Sequence, residues 1–171
     1  MERAGPELSV RSGGIKFTGE PTPEIGISLM SERGIDLTRH RSAPVTAESI
    51  ASANLILGMT REHVREVVAI SPAAWPKTFT VKDFARRAER TGPPGRHQRL
   101  TDWLETVGTD REPYDALGTN PGDEVPDPYG QRPKVWNRVI EDLDDLVSAI
   151  ASVLPVGDRD APARRYRSAP N

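Results

Sequence analysis

The sequence predicts an α/β domain built around a parallel β-sheet. Short apolar runs that suit strands alternate along the chain with segments whose apolar residues recur at helical spacing. Residues 55–59 (LILGM) are continuously apolar, as expected for a strand that is buried on both faces of a parallel sheet. A helical segment, a second short strand and another helical segment follow in that order, which indicates right-handed strand–helix–strand connections.

The first half of the chain carries start and stop signals for its elements. Residues 8–12 alternate between apolar and polar side chains and precede two glycines, which predicts a short strand. A helix is expected from Glu24 with a stop at Gly34, and a second helix has Thr46 as its N-cap. Thr60 opens a further helix directly after the apolar strand.

The second half is predicted to be mainly helical. Residues 77–79 indicate a shorter strand, and the segment that starts at Thr80 resembles a capping box at the beginning of a helix. A third amphipathic helix contains Trp103, and residues 108–130 form a proline-rich loop of a length that is usually functional or disordered. The final helix spans residues 133–154, and its expected buried residues are Val135, Val139, Leu143, Leu146, Val147 and Ile150.

Length and composition limit the domain organisation and the classes of function. The 171 residues predict one domain over 1–154 and a mobile tail over 155–171. The net charge of -2 gives no electrostatic reason to expect nucleic acid as a partner. No apolar run approaches the ~18 residues of a membrane span, and no secretory signal opens the chain. We therefore expect a cytoplasmic protein.

The sequence contains no cysteine, which excludes thiolate metal sites and every cysteine-based mechanism within these residues. The three histidines, His40, His63 and His97, do not have the spacing of a metal pair on one helix and are interpreted as solvated side chains. No metal and no cofactor are expected.

One short motif, DEVPDPYG at residues 123–130, points to chemistry. Asp127 lies between Pro126 and Pro128 and next to Tyr129, so the prolines restrict the backbone around a carboxyl group that adjoins an aromatic ring. This is the arrangement of a fixed general acid. An ordinary turn is the alternative, because all four residues of DPYG favour turns.

Four stretches in a fixed order carry a resemblance to a known family. They are SGG at 12–14, ERGIDL at 32–37 with RHRS at 39–42, ANLILGM at 53–59, and DPYG at 127–130. In this order the chain resembles the low-molecular-weight protein tyrosine phosphatases. The resemblance implies a flavodoxin-like, three-layer fold with a parallel sheet and helices on both faces. It also implies hydrolysis of a phosphate monoester through a phosphocysteine intermediate.

The resemblance assigns roles to four residues. Asp127 matches the general acid that protonates the leaving oxygen and then acts as base for water. Tyr129 matches an aromatic wall for the substrate ring, while Lys16 and Phe17 match the variable loop that lines the mouth of the pocket. The implied partner of the complete form is a phosphotyrosine protein or a small aryl phosphate.

The nucleophile that the resemblance requires is missing from the sequence. The family holds phosphate in a loop of the form Cys-x5-Arg after its first strand, and no such loop is present. The resemblance therefore implies that the first strand, that loop and most of the first helix are absent. Residues 8–12 then have no neighbour that links them to residues 55–59. We expect exposed strand edges and low stability for this polypeptide alone.

Three interpretations remain open at this point. The chain is a piece of a phosphatase, or a catalytically incompetent relative that binds or regulates a partner, or an unrelated protein that contains DPYG by chance. Arsenate reduction, a rival chemistry on this fold, needs more than one cysteine and is disfavoured.

Overall fold

A two-stranded parallel sheet and six α-helices make up the part of the chain that the computed structural model describes, residues 8–16 and 18–154. The helices are α1 (Glu24–Ser31), α2 (Ala47–Ser52), α3 (Arg61–Ile70), α4 (Val81–Thr91), α5 (Leu100–Val107) and α6 (Pro133–Val153), and the strands are β1 (Ile56–Gly58) and β2 (Thr78–Thr80). Short 3-10 turns occupy Pro72–Lys77 and Pro113–Ala116. The predicted tail at 155–171 lies outside the described residues.

The sheet confirms the predicted parallel strand–helix–strand order. β1 pairs with β2 in parallel, so that Ile56 lies opposite Thr78 and Gly58 lies opposite Thr80, and α3 connects the two strands. All three residues of β2 are buried, whereas all three residues of β1 are only half-buried. β1 is therefore the more open strand of the pair.

The strand predicted for residues 8–12 is wrong. These residues form no strand, and the first backbone pairing of the segment is an isolated parallel bridge between Gly14 and Pro44. Leu8 and Val10 are 44% and 69% exposed. Alternation of apolar and polar residues favours an extended backbone, but a strand also needs a neighbour for its hydrogen bonds, and no strand lies beside this segment within the described residues.

Threonine N-caps start three of the helices, as the sequence predicts. The hydroxyls of Thr46, Thr60 and Thr80 each accept a hydrogen bond from the backbone N–H three residues later. At α4 the predicted capping box is only half formed. The carboxylate of Asp83 accepts from Arg86 and Arg87 instead of turning back to the N-cap.

The main core lies between β2 and helices α4, α5 and α6. Phe79 and Phe84 are fully buried and meet edge to face, with ring centroids 5.3 Å apart. Trp103, on α5, is 1% exposed, and its ring lies edge-on to that of Phe84 at 6.0 Å. Its indole N–H donates to the carbonyl of Gly92 at 2.9 Å. Helix α5, the predicted amphipathic helix that contains Trp103, therefore closes the core.

Helix α6 buries most of the predicted apolar face, with one exception. Val139 and Ile150 are buried, and Val135, Leu143 and Leu146 are half-buried against the core, but Val147 is 59% exposed, so that part of the prediction is wrong. Helix α1 packs against α6 near its start, where Gly26 approaches Trp136, and Arg33, just after α1, pairs with Asp144 at 3.2 Å. Val147 lies beyond that point. Among the described residues, no helix is long and apolar enough to cross a membrane.

Candidate functional site

The carboxyl ends of the two strands mark the edge of the sheet where sites usually form in parallel α/β folds. β1 runs into Met59 and then into α3, and β2 runs directly into α4. The turn after β1 is tight, because a Cβ on Gly58 would lie 2.9 Å from the Cβ of His63. Thr60 and Thr80, the caps of the two helices, stand at this edge.

The long loop of residues 108–130 is fixed across this edge. Val125 donates its backbone N–H to the carbonyl of Met59 at 2.8 Å, and its side chain is 4% exposed. Arg61 donates to the carbonyl of Leu117, and Arg65 donates to the carbonyl of Ala116, at 3.1 and 2.7 Å. The loop is thus held by helix α3 and by the end of β1, so the carboxyl end of the sheet sets its position.

Asp127 occupies a well-defined turn two residues after this attachment point. Its Oδ1 accepts a hydrogen bond from the backbone N–H of Tyr129 at 2.9 Å, and Gln131 donates its N–H to the carbonyl of Pro128. Gly130 closes the turn with a φ of 71°, in the left-handed region that suits glycine. Asp127 is exposed, and within residues 8–16 and 18–154 its Oδ2 has no hydrogen-bond partner. The turn alternative is therefore realised, and it leaves one carboxylate oxygen accessible.

Two of the other predicted site residues, Tyr129 and Lys16, lie on or near the same edge. Tyr129 is 71% exposed, with its ring in solvent. Lys16 forms an ion pair with Glu62, in the first turn of α3, at 3.3 Å between exposed side chains. Lys16 thus contacts the first turn of α3, and Asp127 is two residues from Val125, which is bonded to Met59. Phe17 lies outside the described residues.

Asp123 is a member of this edge that the sequence analysis did not identify. It is 6% exposed, and its carboxylate accepts hydrogen bonds from Arg61, Arg86 and Asn120. Arg61 and Arg86 are 62 and 37 residues away in sequence, so no local motif joins them to Asp123. The available signal was an arginine in each of the helices that follow the two strands, together with an acidic residue in a long loop.

A charged cleft adjoins this cluster. It has a volume of about 300 Å³, and its lining includes four arginines and three aspartates. Arg111 lies between the rings of Trp75 and Phe79, at 4.1 and 3.8 Å from their centroids, and donates to the carbonyl of Thr78 at 2.7 Å. Burial lowers the pKa of Arg111 to about 10, while Asp83 partly opposes this shift. The arginine thus fixes the start of the long loop against β2.

The environment of Asp123 predicts how stability depends on pH. Burial raises the pKa of its carboxyl, but hydrogen bonds from Arg86 and Arg61 together outweigh burial, so the pKa lies below its ordinary value. A carboxyl with a depressed pKa in the folded state stabilises the fold above its unfolded pKa, about 4, and loses that contribution as pH falls through the folded pKa. The free energy of unfolding should therefore fall on acidification below about pH 4.

Urea unfolding between pH 7 and pH 2.5 would measure this dependence. The variant Asp123→Asn should show a smaller loss of stability on acidification than the natural chain. Asp145→Asn, on the exposed face of α6, is the matched control and should keep the natural profile. Identical acid profiles for the natural chain and Asp123→Asn would contradict the role given to this pair of arginines.

Hydroxyl groups at the edge do not replace the missing thiol. Thr60 Oγ1 lies 3.1 Å from His63 Nδ1, which superficially resembles a nucleophile and its base. The same nitrogen accepts the backbone N–H of Thr60 at 3.2 Å, and the hydroxyl accepts the N–H of His63, so both groups form a helix cap. His40 also has partners, Ser12 and Thr22, so His40 and His63 are half-buried and hydrogen-bonded, whereas His97 is exposed as predicted.

The edge therefore offers an accessible carboxyl group, an exposed aromatic ring and a cation. No group of three or more His, Cys, Asp or Glu side chains that could hold a metal ion occurs in the described part of the chain. Proton transfer at Asp127 is the chemistry that this arrangement supports.

Comparisons with known proteins agree on one family. The model of the family described as low molecular weight phosphotyrosine protein phosphatase matches residues 1–93, more than half of the chain. The protein-arginine-phosphatase of Bacillus subtilis (strain 168) is 26% identical over 155 residues, which cover 90% of this chain and 80% of that relative. A probable low molecular weight protein-tyrosine-phosphatase, EpsP of Ralstonia solanacearum, is 32% identical over 85 residues.

Coverage differs between these relatives. The match to EpsP covers 49% of this chain and 59% of EpsP, so the chain spans less than two thirds of that relative. Among solved structures, the YwlE arginine phosphatase from Geobacillus stearothermophilus superposes with a TM-score of 0.61 at 25% identity. That superposition covers 85% of this chain and 73% of the other. The fold and the predicted resemblance are thereby confirmed.

Proposed function

Because the chain belongs to the low molecular weight phosphotyrosine protein phosphatase family, we propose that it presents the proton-donor side of a protein phosphatase site. Asp127 is the general acid that protonates the leaving group and then the base that activates water. Tyr129 forms a wall for the leaving group, and Lys16 and Phe17 lie at the mouth of the pocket. The protein acts in the cytoplasm and uses no cofactor.

One observation supports this proposal most directly. Asp127 is two residues from Val125, whose backbone N–H donates to the carbonyl of Met59, the residue that follows β1. The carboxyl group is exposed, and one of its oxygens is already oriented by the N–H of Tyr129. An acid must be held within hydrogen-bond reach of the oxygen that it protonates, and a turn fixed at a sheet edge meets this requirement.

These residues do not supply a nucleophile. The 171 residues contain no cysteine, and the hydroxyls of Thr60 and Thr80 cap helices. We therefore expect this polypeptide by itself not to hydrolyse phosphate esters. A strand, a Cys-x5-Arg loop and a helix of the family type, placed before Leu8, would supply the thiolate and the phosphate-binding N–H groups.

The names of the relatives point to two classes of substrate. Their names include both protein-tyrosine-phosphatase and protein-arginine-phosphatase. The exposed ring of Tyr129 can stack on a phenyl ring or on a planar guanidinium group, so it suits both leaving groups. We propose a phosphorylated protein as the substrate.

The test is a completed polypeptide in which a strand, a Cys-x5-Arg loop and a helix taken from the Bacillus subtilis relative are joined before Leu8. It should hydrolyse para-nitrophenyl phosphate, and comparison of phosphotyrosine and phosphoarginine peptides should then assign the leaving group. Replacement of the new cysteine by serine is the control and should abolish turnover. A folded completed polypeptide that is inactive on all three substrates would refute the proposal.

A second candidate is a protein that binds a phosphorylated partner without hydrolysing it. The absence of any cysteine from the sequence favours this reading. It predicts that the chain as it stands binds a non-hydrolysable phosphonate analogue of a phosphotyrosine peptide, and that Tyr129→Ala weakens this binding. Calorimetry that detects no binding at millimolar peptide would exclude this candidate.

A further inference from the structure

We propose that Asp123 is a positioning residue for the acid loop, the segment of residues 123–130, and that Arg61 and Arg86 act through it. The inference rests on the proposed function, because it concerns how Asp127 reaches its place. It adds a connection between the acid and the two helices that follow the strands.

The carboxylate of Asp123 has donors on both of its oxygens. Arg61 binds Oδ2 through Nε at 3.1 Å and Nη2 at 2.6 Å, and Asn120 adds its side-chain amide to the same oxygen at 3.1 Å. Arg86 donates through Nη2 to Oδ1. A two-nitrogen contact from a guanidinium fixes orientation as well as distance, so this carboxylate is held in one place.

The donors come from separate elements. Arg61 is the first residue of α3, the helix that follows β1, and Arg86 is on α4, the helix that follows β2. Arg86 also donates to the backbone carbonyl of Gly122 at 2.7 Å. Asp123 therefore joins the acid loop to both strand–helix units at the carboxyl edge of the sheet.

Because Asp123 is buried, its attachment favours one position of the acid loop. Asp123 is 6% exposed, and a buried carboxylate is tolerated only while it is paired. Any shift of the loop that separates Asp123 from its arginines would leave a buried carboxylate without charged partners. The loop consequently has one favoured position, whereas an exposed ion pair would allow several.

The connection to Asp127 is short and stiff. Between Asp123 and Asp127 lie Glu124, the buried Val125 and Pro126, and Pro126 fixes its own φ. Val125 is bonded to Met59. A displacement at Asp123 therefore pulls on the Val125 attachment, and Asp127 moves when that attachment breaks.

The test uses the full 171-residue chain and the variant Asp123→Asn, which keeps the size of the side chain and removes its charge. Hydrogen exchange should accelerate at the amides of Val125 and Tyr129 by about tenfold to a hundredfold, the range expected when hydrogen bonds to a charged group are lost. The amides of Val139 and Ile150 on α6 should keep their natural rates. Equal acceleration at α6 would show a purely global effect and overturn the inference, and unchanged rates in the loop would do the same.

Arg86→Gln is the second variant, in case Asp123→Asn does not fold. Arg86 is half-exposed, and its loss leaves the Arg61 contact intact, so a smaller acceleration confined to the acid loop is expected. In the completed polypeptide, Asp123→Asn should lower kcat by about tenfold or more with little change in KM. Faster hydrogen exchange in the acid loop without any loss of kcat would overturn the positioning role. A completed polypeptide that is inactive before Asp123 is changed would count only against the proposed function.

Discussion

Replacing Trp103 with alanine should lower the free energy of unfolding by about 3–5 kcal/mol, the usual cost of removing a large aromatic side chain from a core. Trp103 is 1% exposed and contacts Phe84 edge to face. The variant also leaves the carbonyl of Gly92 without the indole N–H that it now accepts. A typical domain is stable by only about 5–15 kcal/mol, so this single change should remove a large part of the margin.

Urea unfolding followed by far-UV circular dichroism would measure the loss. Tyr114→Ala is the matched control, because Tyr114 is an aromatic residue that is 67% exposed and should change stability by less than about 0.5 kcal/mol. A loss below about 1 kcal/mol for Trp103→Ala would mean that α5 does not complete the core. The same curve for the natural chain tests the expectation that this polypeptide alone has low stability.

In the completed polypeptide, Asp127→Asn should lower kcat by about 10²–10⁴-fold, the typical contribution of a positioned general acid. Asparagine has nearly the same shape, and its side-chain oxygen can still accept the N–H of Tyr129, so the turn should persist. It cannot transfer a proton. The loss should be larger for phenyl phosphate than for para-nitrophenyl phosphate, because the poorer leaving group depends more on protonation.

Steady-state kinetics as a function of pH would check the assignment. Glu124→Gln, a change of a half-buried carboxylate in the same loop, is the control and should keep most of the activity. If Asp127→Asn retained the natural rate and pH profile, the proton donor would have to be another residue.

The helices were predictable because their signals are local. Thr46, Thr60 and Thr80 bond to amides three residues away, so a sequence pattern contains everything that the cap needs. The strand at 8–12 was not predictable in the same way, since strand formation depends on a neighbour that the pattern does not describe. Val147, which is 59% exposed, was misplaced for a related reason, because the burial of an apolar helix residue depends on the elements that pack beside it, and the sequence pattern does not describe them.

The candidate site likewise combines one feature that adjacent residues determine with another that depends on residues far apart in the sequence. The turn at Asp127 follows from two prolines, an aspartate and a glycine that are adjacent in sequence. The burial of Asp123 depends on arginines that the fold brings from α3 and α4. Conversely, Asp83 looked like one half of a capping box, but its carboxylate is bound by Arg86 and Arg87. Electrostatic pairs between elements therefore had to be read from the structure.

The most direct test of the account is an assay of the purified 171-residue chain on para-nitrophenyl phosphate without any other protein. We predict no release of para-nitrophenolate above the buffer rate, with or without a thiol reductant, because the acid has no nucleophile to assist. Turnover that scales with the concentration of the chain and disappears in Asp127→Asn would contradict the prediction. It would show that a group other than cysteine attacks phosphorus at this edge of the sheet.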